Sequence, residues 1–210
     1  EARLIAARGI CFGLIISLLL MVAAWFAGPE LIKLVSTEGA YRDAGTKYFL
    51  VLILALPAFV MSFGLNGLLQ SQGDTVSMQR AQIAAFFANI ALNPVLVFGI
   101  PGIWDGIGFN GIAVSTVLSQ TGVMVYVAYR LMQTELMDGV TGSCFRPEKS
   151  TYIDITKQML PVTMTMFVMM SAGFIVQFYL KSFGTAAVAA YGVALRVEQL
   201  FLLPVFGLTR

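Results

Sequence analysis

The sequence predicts an all-α fold, a polytopic membrane helix bundle with six transmembrane helices. Hydrophobic residues make up 58% of the chain and charged residues only 11%, whereas soluble domains are about 25% charged. Charge-free runs recur along the chain, and each is long enough for the roughly 20 residues that cross a bilayer as a helix. A membrane β-barrel would instead show segments of about ten residues with alternating polarity, and this sequence does not alternate in that way.

Each predicted helix corresponds to one apolar run. Five of the runs contain no charged residue, and the sixth is interrupted only by Arg196 and Glu198. In chain order, the six runs cover residues 9–29, 48–73, 81–104, 106–129, 158–180 and 186–209.

The stretch SQGDTVSMQR, residues 71–80, is predicted to be a tight turn between the second and third membrane helices. Gly73 can adopt the left-handed conformation that ends one helix. Asp74 or Thr75 can accept hydrogen bonds from the first amides of the next helix. A cation-relay role for Asp74 is the alternative, but capping accounts for this residue without it.

Lysine and arginine are distributed unevenly between the two ends of the predicted helices. Cytoplasmic connectors of membrane proteins carry the excess of these residues. Eight of them fall on one side, which we therefore assign to the cytoplasm, and four fall on the other. The cytoplasmic residues are Arg3, Arg8, Arg80, Arg130, Arg146, Lys149, Lys157 and Arg210. The residues on the opposite side are Lys33, Arg42, Lys47 and Lys181.

Two amides and a proline interrupt the apolar segment NIALNPVLVFGI, residues 89–100. Asn89 and Asn93 lie on one helix face, one turn apart. Pro94 is expected to bend the helix and to free the carbonyl of Ile90, because proline lacks the amide hydrogen and its ring crowds that carbonyl. These oxygens, with the Thr116 hydroxyl from the next helix, could bind a small cation or could join neighbouring helices. The residues alone leave both interpretations open.

Arg196 and Glu198 fall near mid-membrane depth, where each charge costs about 2.5 to 3.5 kcal/mol. We therefore expect them to face a protein interior or a wet cavity, as a substrate-cavity or proton-relay pair. Gln177 is expected to belong to the same polar lining. A structural ion pair that joins two helices is the alternative.

Several classes of function are disfavoured by what the sequence lacks. It contains no histidine and two cysteines, and it has no phosphate-binding glycine loop and no paired carboxylates at useful spacing. We therefore expect no enzyme, no catalytic residue and no cofactor. The net charge of +2 is too small to indicate nucleic-acid binding.

Four segments in order give the sequence a family resemblance: SQGDT, NIALNPVLVFGI, GFNGIAVSTVLSQ and AVAAYGVALRVEQLFLLPVFGLTR. Together they resemble the multidrug and toxic compound extrusion (MATE) family of cation-coupled efflux antiporters. The resemblance implies six helices, the third to the eighth, of a twelve-helix, two-lobe transporter. Residues 1–134 would be the last four helices of the N-terminal lobe, residues 135–150 a cytoplasmic linker and residues 151–210 the first two helices of the C-terminal lobe.

The resemblance also implies roles for individual residues. Asn89, Asn93 and Thr116 match positions that bind the driving cation in the family, together with an aspartate that lies outside this chain. Some relatives have aspartate where Asn93 stands, so the amide disfavours proton carriage and leaves sodium coordination as the expectation. Met169 stands where other relatives carry a glutamate.

The function that the resemblance implies is export of drugs and other organic, cationic or amphiphilic compounds in exchange for Na⁺ or H⁺ by alternating access. A lipid-linked oligosaccharide flippase of the same superfamily and a non-transporting membrane scaffold are the alternatives. We expect a multi-pass protein of the plasma membrane, the inner membrane of a bacterium, that is a monomer when full length. Its expected partners are small organic substrates and the lipid bilayer.

Overall fold

The computed structural model describes residues 2–36, 39–138 and 148–208. The described chain is almost entirely helical. In order, its elements are α1 (Ala2–Val35), α2 (Ala40–Ile53), α3 (Leu56–Ser71), α4 (Ser77–Phe98), β1 (Gly99–Ile100), β2 (Trp104–Asp105), α5 (Asn110–Met132), α6 (Lys149–Leu180), a single 3₁₀ turn (Lys181–Phe183) and α7 (Thr185–Leu208).

The predicted all-α membrane fold is confirmed. Within the described ranges, five helices are long and apolar enough to cross a membrane, and a bent pair makes a sixth. The bent pair replaces the predicted continuous span at 48–73: α2 and α3 meet at 43°. Pro57 lies in the first turn of α3, where its missing amide hydrogen costs nothing but where it prevents α2 from continuing.

The predicted span at 81–104 is also shorter than the charge-free run. Helix α4 ends at Phe98, and β1 and β2 pair antiparallel as a two-residue ribbon. Gly99 and Gly102 have φ angles of 78° and 80°, a conformation that favours glycine. The hydropathy of the sequence therefore located α4 but did not predict the turn that follows it.

Helix α5 lies at the centre of the packing, against α2, α3 and α4. Its buried side chains recur at intervals of four residues, at Ser115, Ser119, Val123, Val127 and Leu131, so one face of the helix is covered. The hydrophobic core combines this face with residues of α3 and α4: Leu65, Leu69, Met78, Ala81, Val123, Val127 and Leu131.

The turn between α3 and α4 has the predicted caps. The amides of Gly73 and Asp74 donate to the carbonyls of Gln70 and Leu69, and Gly73 has a φ of 84°, as expected for a glycine-terminated helix. The Asp74 carboxylate accepts hydrogen bonds from the amides of Val76 and Ser77 at 3.2 and 2.9 Å. Capping by Asp74 is therefore confirmed.

Helix α6 packs against α1 and α7. The Arg8 guanidinium forms an ion pair with Glu148, and at the other end of α1 the Lys181 ammonium donates to the carbonyls of Lys33 and Leu34, both at 3.1 Å. The Lys181 contacts join the two predicted lobes, whereas Glu148 belongs to the predicted linker. Most of the predicted linker, residues 139–147, lies outside the described residues, so the division into lobes stays a prediction.

Candidate functional site

Helices α4 and α5 are fixed to each other at the ends that the β-ribbon joins. The amides of Ile107 and Gly108 donate to the carbonyls of Leu96 and Val97 at 2.9 and 3.2 Å, and so satisfy carbonyls in the last turn of α4 that lack helical partners. A Cβ built on Gly111 would lie 2.7 Å from the carbonyl carbon and oxygen of Leu96. Glycine therefore permits the close approach that sets the register between the two helices.

This register places Ser115 of α5 between Asn89 and Asn93 of α4. The Asn93 amide nitrogen donates to Asn89 Oδ1 at 2.8 Å, and the Asn89 amide nitrogen donates to Ser115 Oγ at 3.2 Å. The Ser115 hydroxyl in turn donates to Asn93 Oδ1. The three side chains form a closed ring of hydrogen bonds, which we call the amide–serine ring.

The ring is protected and electrically neutral. Ser115 is fully buried, and both asparagines are half-buried. Every one of the three oxygen atoms accepts a hydrogen bond within the ring, which offsets the cost of placing polar groups in an apolar segment. Amide and hydroxyl oxygens are also the hard donors that small cations prefer.

The structure brings the two predicted asparagines together but not with Thr116. The Thr116 hydroxyl donates to the carbonyl of Ile112 in its own helix at 2.9 Å. No hydrogen bond of the described chain joins Thr116 to either asparagine. Ser115, which the sequence analysis did not select, takes that place. Two features of the sequence could have indicated Ser115. It stands beside Thr116 in GFNGIAVSTVLSQ, and it lies four residues before Ser119, on what proves to be the buried face of α5.

Comparisons with known proteins agree with the fold and extend over nearly the whole chain. A family model described as MatE matches residues 1–95. The multidrug export protein MepA of Staphylococcus saprophyticus is 23% identical over 209 residues, and MepA of Staphylococcus aureus is 21% identical over 208 residues. The match covers 99% of this chain in both cases. The chain is thus similar in sequence to multidrug export proteins over nearly its whole length.

A solved structure has the same fold. It is described as the inward-facing conformation of a multidrug resistance MATE family transporter of the MOP superfamily, and it matches with a TM-score of 0.74 at 24% identity. The match covers 98% of this chain and 52% of that chain. The chain also spans 45% of the length of the two MepA relatives. As predicted, the chain resembles MATE transporters, in its sequence and in its fold.

Two further predictions concern the proline of α4 and the ligands of a metal ion. Pro94 lies inside α4, which continues beyond it to Phe98, and its role as a bend between transport states stays a prediction. Among the described residues, no three His, Cys, Asp or Glu side chains form a group that could hold a metal ion.

The predicted cavity residues lie apart from the amide–serine ring. Gln177 lines a cavity of about 660 Å³ between the ends of α1, α2, α6 and α7, together with Arg42 and Lys181. Arg196 and Glu198 lie further along α7, and both are exposed on the surface of the described chain. The structure does not place them in the lining of the Gln177 cavity, so their role in a substrate cavity stays a prediction.

Proposed function

We propose that this chain works within a cation-coupled antiporter that exports organic, cationic or amphiphilic compounds by alternating access. The names of the MepA relatives, which are multidrug export proteins, support the export part of the proposal. Since the chain spans less than half of those relatives, the activity is proposed for the complete protein.

The amide–serine ring is the observation that carries the coupling part of the proposal. It concentrates neutral oxygen donors within a pair of predominantly apolar helices. None of its three side chains titrates near neutral pH, so the ring suits a metal cation better than a proton. We therefore propose Na⁺ as the coupling ion, bound by Asn89 and Asn93 together with a hydroxyl ligand from α5, a role that the family resemblance gives to Thr116.

Coupling requires the bound cation to favour one arrangement of the helices over another. The ring joins α4 to α5, and α5 also contacts α2 and α3. A change in the geometry of the ring would therefore be transmitted to these packed helices. Pro94, one residue beyond Asn93, is proposed to let the end of α4 follow that change.

The substrate is proposed to bind on the α6–α7 side of the molecule. Gln177 lines a cavity there, and α6 presents flexible and aromatic side chains, including Met164, Met166 and Phe167, that are exposed in the described chain. Methionine-rich surfaces adapt to ligands of different shape. Glu198 is proposed to attract cationic substrates, and Arg196 to line the same part of the cavity.

The proposed location is the bacterial plasma membrane, with the turn at residues 71–80 on the cytoplasmic side. The Staphylococcus relatives and the distribution of lysine and arginine support this assignment. The same orientation gives the Arg8–Glu148 ion pair a cytoplasmic position.

The deciding experiment measures export of a fluorescent cationic dye by the complete protein in everted bacterial vesicles, with a sodium gradient or a proton gradient imposed separately. We expect sodium-driven export that Asn89→Ala and Asn93→Ala each reduce by at least tenfold at unchanged membrane abundance. Gln82→Ala removes an amide from the same helix outside the ring and serves as the matched control. Equal export by all three variants would refute sodium coupling at the ring, and a flippase or a scaffold predicts no dye export at all.

A further inference from the structure

Ser115 has more hydrogen-bond acceptors than it can serve at one time. Its hydroxyl oxygen lies within hydrogen-bond distance of Asn93 Oδ1 and also 2.9 Å from the carbonyl oxygen of Ile112. A serine hydroxyl carries a single hydrogen, so it can donate to only one of these two acceptors. The two choices define two states of the amide–serine ring.

In the first state, the hydroxyl donates to Asn93 and the ring is closed. All three oxygens then accept hydrogen bonds from within the ring. In the second state, the hydroxyl donates to Ile112, and Asn93 Oδ1 loses its donor. This oxygen would then be a hydrogen-bond acceptor without a donor in an apolar setting, a cost that a bound cation would remove.

The second state leaves no donor of Ser115 unsatisfied, because the Ile112 carbonyl takes over the hydroxyl hydrogen. Serine and threonine hydroxyls commonly bond to a carbonyl of the preceding turn in this way. A carbonyl oxygen has two lone pairs, so Ile112 can accept from both Ser115 and Thr116. The ring can therefore open toward a cation without breaking any backbone hydrogen bond of α5.

From this geometry we infer that Ser115 is itself a ligand of the coupling cation and controls the opening of the ring. Rotation of its hydroxyl toward Ile112 frees Asn93 Oδ1 and turns a lone pair of Ser115 Oγ toward the same space. The ligand class is a small monovalent metal cation such as Na⁺, bound by amide and hydroxyl oxygens. The inference rests on the proposed function and gives to Ser115 the ligand role that the family resemblance implies for Thr116.

The chain offers a closely matched control for Ser115. Ser119 lies one turn further along the same buried face of α5, and its hydroxyl oxygen is buried with no hydrogen-bond partner among the described residues. Ser115→Ala and Ser119→Ala each remove one buried hydroxyl from the same helix face. A difference in sodium affinity between these two variants is therefore due to the ring and not simply to the loss of a buried hydroxyl.

The test measures binding of radioactive ²²Na⁺ to the complete purified protein in detergent, together with the thermal midpoint with and without sodium. Ser115→Ala is expected to weaken sodium affinity by about 10- to 100-fold and to abolish the sodium-dependent rise in the midpoint. Ser119→Ala and Thr116→Val are expected to change the affinity less than threefold. Ser115→Cys retains the size of the side chain but offers a soft sulfur atom, and it provides the same test if the alanine variant does not fold.

The outcomes separate this inference from the proposed function. Loss of sodium binding in Asn89→Ala and Asn93→Ala, with Ser115→Ala equal to Ser119→Ala, would overturn the role of Ser115 and leave sodium coupling intact. Unchanged sodium binding in all of these variants would overturn both proposals. A larger loss in Thr116→Val than in Ser115→Ala would return the ligand role to Thr116.

Discussion

Helices α4 and α5 and helices α6 and α7 are similarly apolar, yet the two pairs are held in different ways. The first pair meets through a glycine contact, backbone hydrogen bonds and the amide–serine ring. In α6, and in α7 as far as its side chains are described, no residue is buried. Apolar character alone does not pack helices in a lipid environment, because lipid tails solvate apolar side chains equally well. Small residues and polar contacts distinguish the first pair.

The comparison is tested most strongly by deleting matched leucine side chains. Leu69 of α3 is fully buried in the core, whereas Leu160 of α6 is 51% exposed. Leu69→Ala should lower the free energy of unfolding by about 2 to 5 kcal/mol because it leaves a cavity, and Leu160→Ala should lower it by less than about 1 kcal/mol. Thermal unfolding of the complete protein in detergent measures both. An equal cost would mean that α6 is packed as closely in the complete protein as α3 is.

A smaller effect is expected from adding one methyl group at glycine. In Gly111→Ala the new Cβ would lie 2.7 Å from the backbone of Leu96, whereas nothing lies within 4 Å of a Cβ at Gly173 in α6. Gly111→Ala should lower the free energy of unfolding by about 1 to 3 kcal/mol because of overpacking. Gly173→Ala should leave the free energy of unfolding unchanged or raise it by up to about 1 kcal/mol, because alanine has the higher helix propensity. The same thermal assay compares them, and a neutral Gly111→Ala would contradict the close approach of α4 and α5.

The turn before α4 provides a test that depends on pH. Hydrogen bonds from the Ser77 side chain and amide, with a smaller contribution from Arg130, lower the pKa of Asp74 to about 2. Because this pKa lies below the ordinary value of 3.8, the stabilisation is complete above about pH 4 and is lost as the pH falls through 2. Asp74→Ala should cost about 0.5 to 2 kcal/mol at neutral pH.

The matched variant at this turn is Asp74→Asn, which keeps a capping oxygen and removes the 3.2 Å ion pair with Arg130. This variant should lower the free energy of unfolding by less than about 1 kcal/mol. Thermal midpoints recorded between pH 7 and pH 2 should show a smaller decline for both variants than for the natural sequence. Parallel curves for all three proteins would exclude Asp74 as the titrating group.

The smallest effect is expected where α6 meets α1. The Arg8 and Glu148 side chains are 19% and 44% exposed, so their ion pair is partly screened by solvent. A double-mutant cycle with Arg8→Ala and Glu148→Ala should give a coupling free energy of about 0.2 to 1 kcal/mol that declines with added salt. A coupling free energy above about 2 kcal/mol would show that α6 is held to α1 more firmly than its exposed surface suggests.

Features set by local physics could be predicted from the sequence. The apolar runs located the membrane helices, and the SQGDT segment indicated the cap by Asp74. The spacing of Asn89 and Asn93 placed them on one face of one helix, where they do contact each other. Each of these features depends on residues a few positions apart in the chain.

Features set by the register between helices could not be predicted in the same way. Ser115 meets the asparagines because the loop amides and Gly111 fix how α5 lies against α4, and a hydropathy profile contains no such information. For the same reason Thr116, the neighbouring residue, was selected in its place. A difference of one residue along a helix changes the direction of a side chain by about 100°, so a family motif alone could not decide between them.

The β-ribbon between α4 and α5 has a mechanical consequence. Two strands of two residues each, tied back to the last turn of α4 by loop amides, leave these helices little freedom to slide lengthwise past each other. At the opposite end of the two helices, the ion pair between Asp74 and Arg130 joins them again. We therefore expect α4 and α5 to move as one unit, tilting together against their neighbours, in any change of conformation.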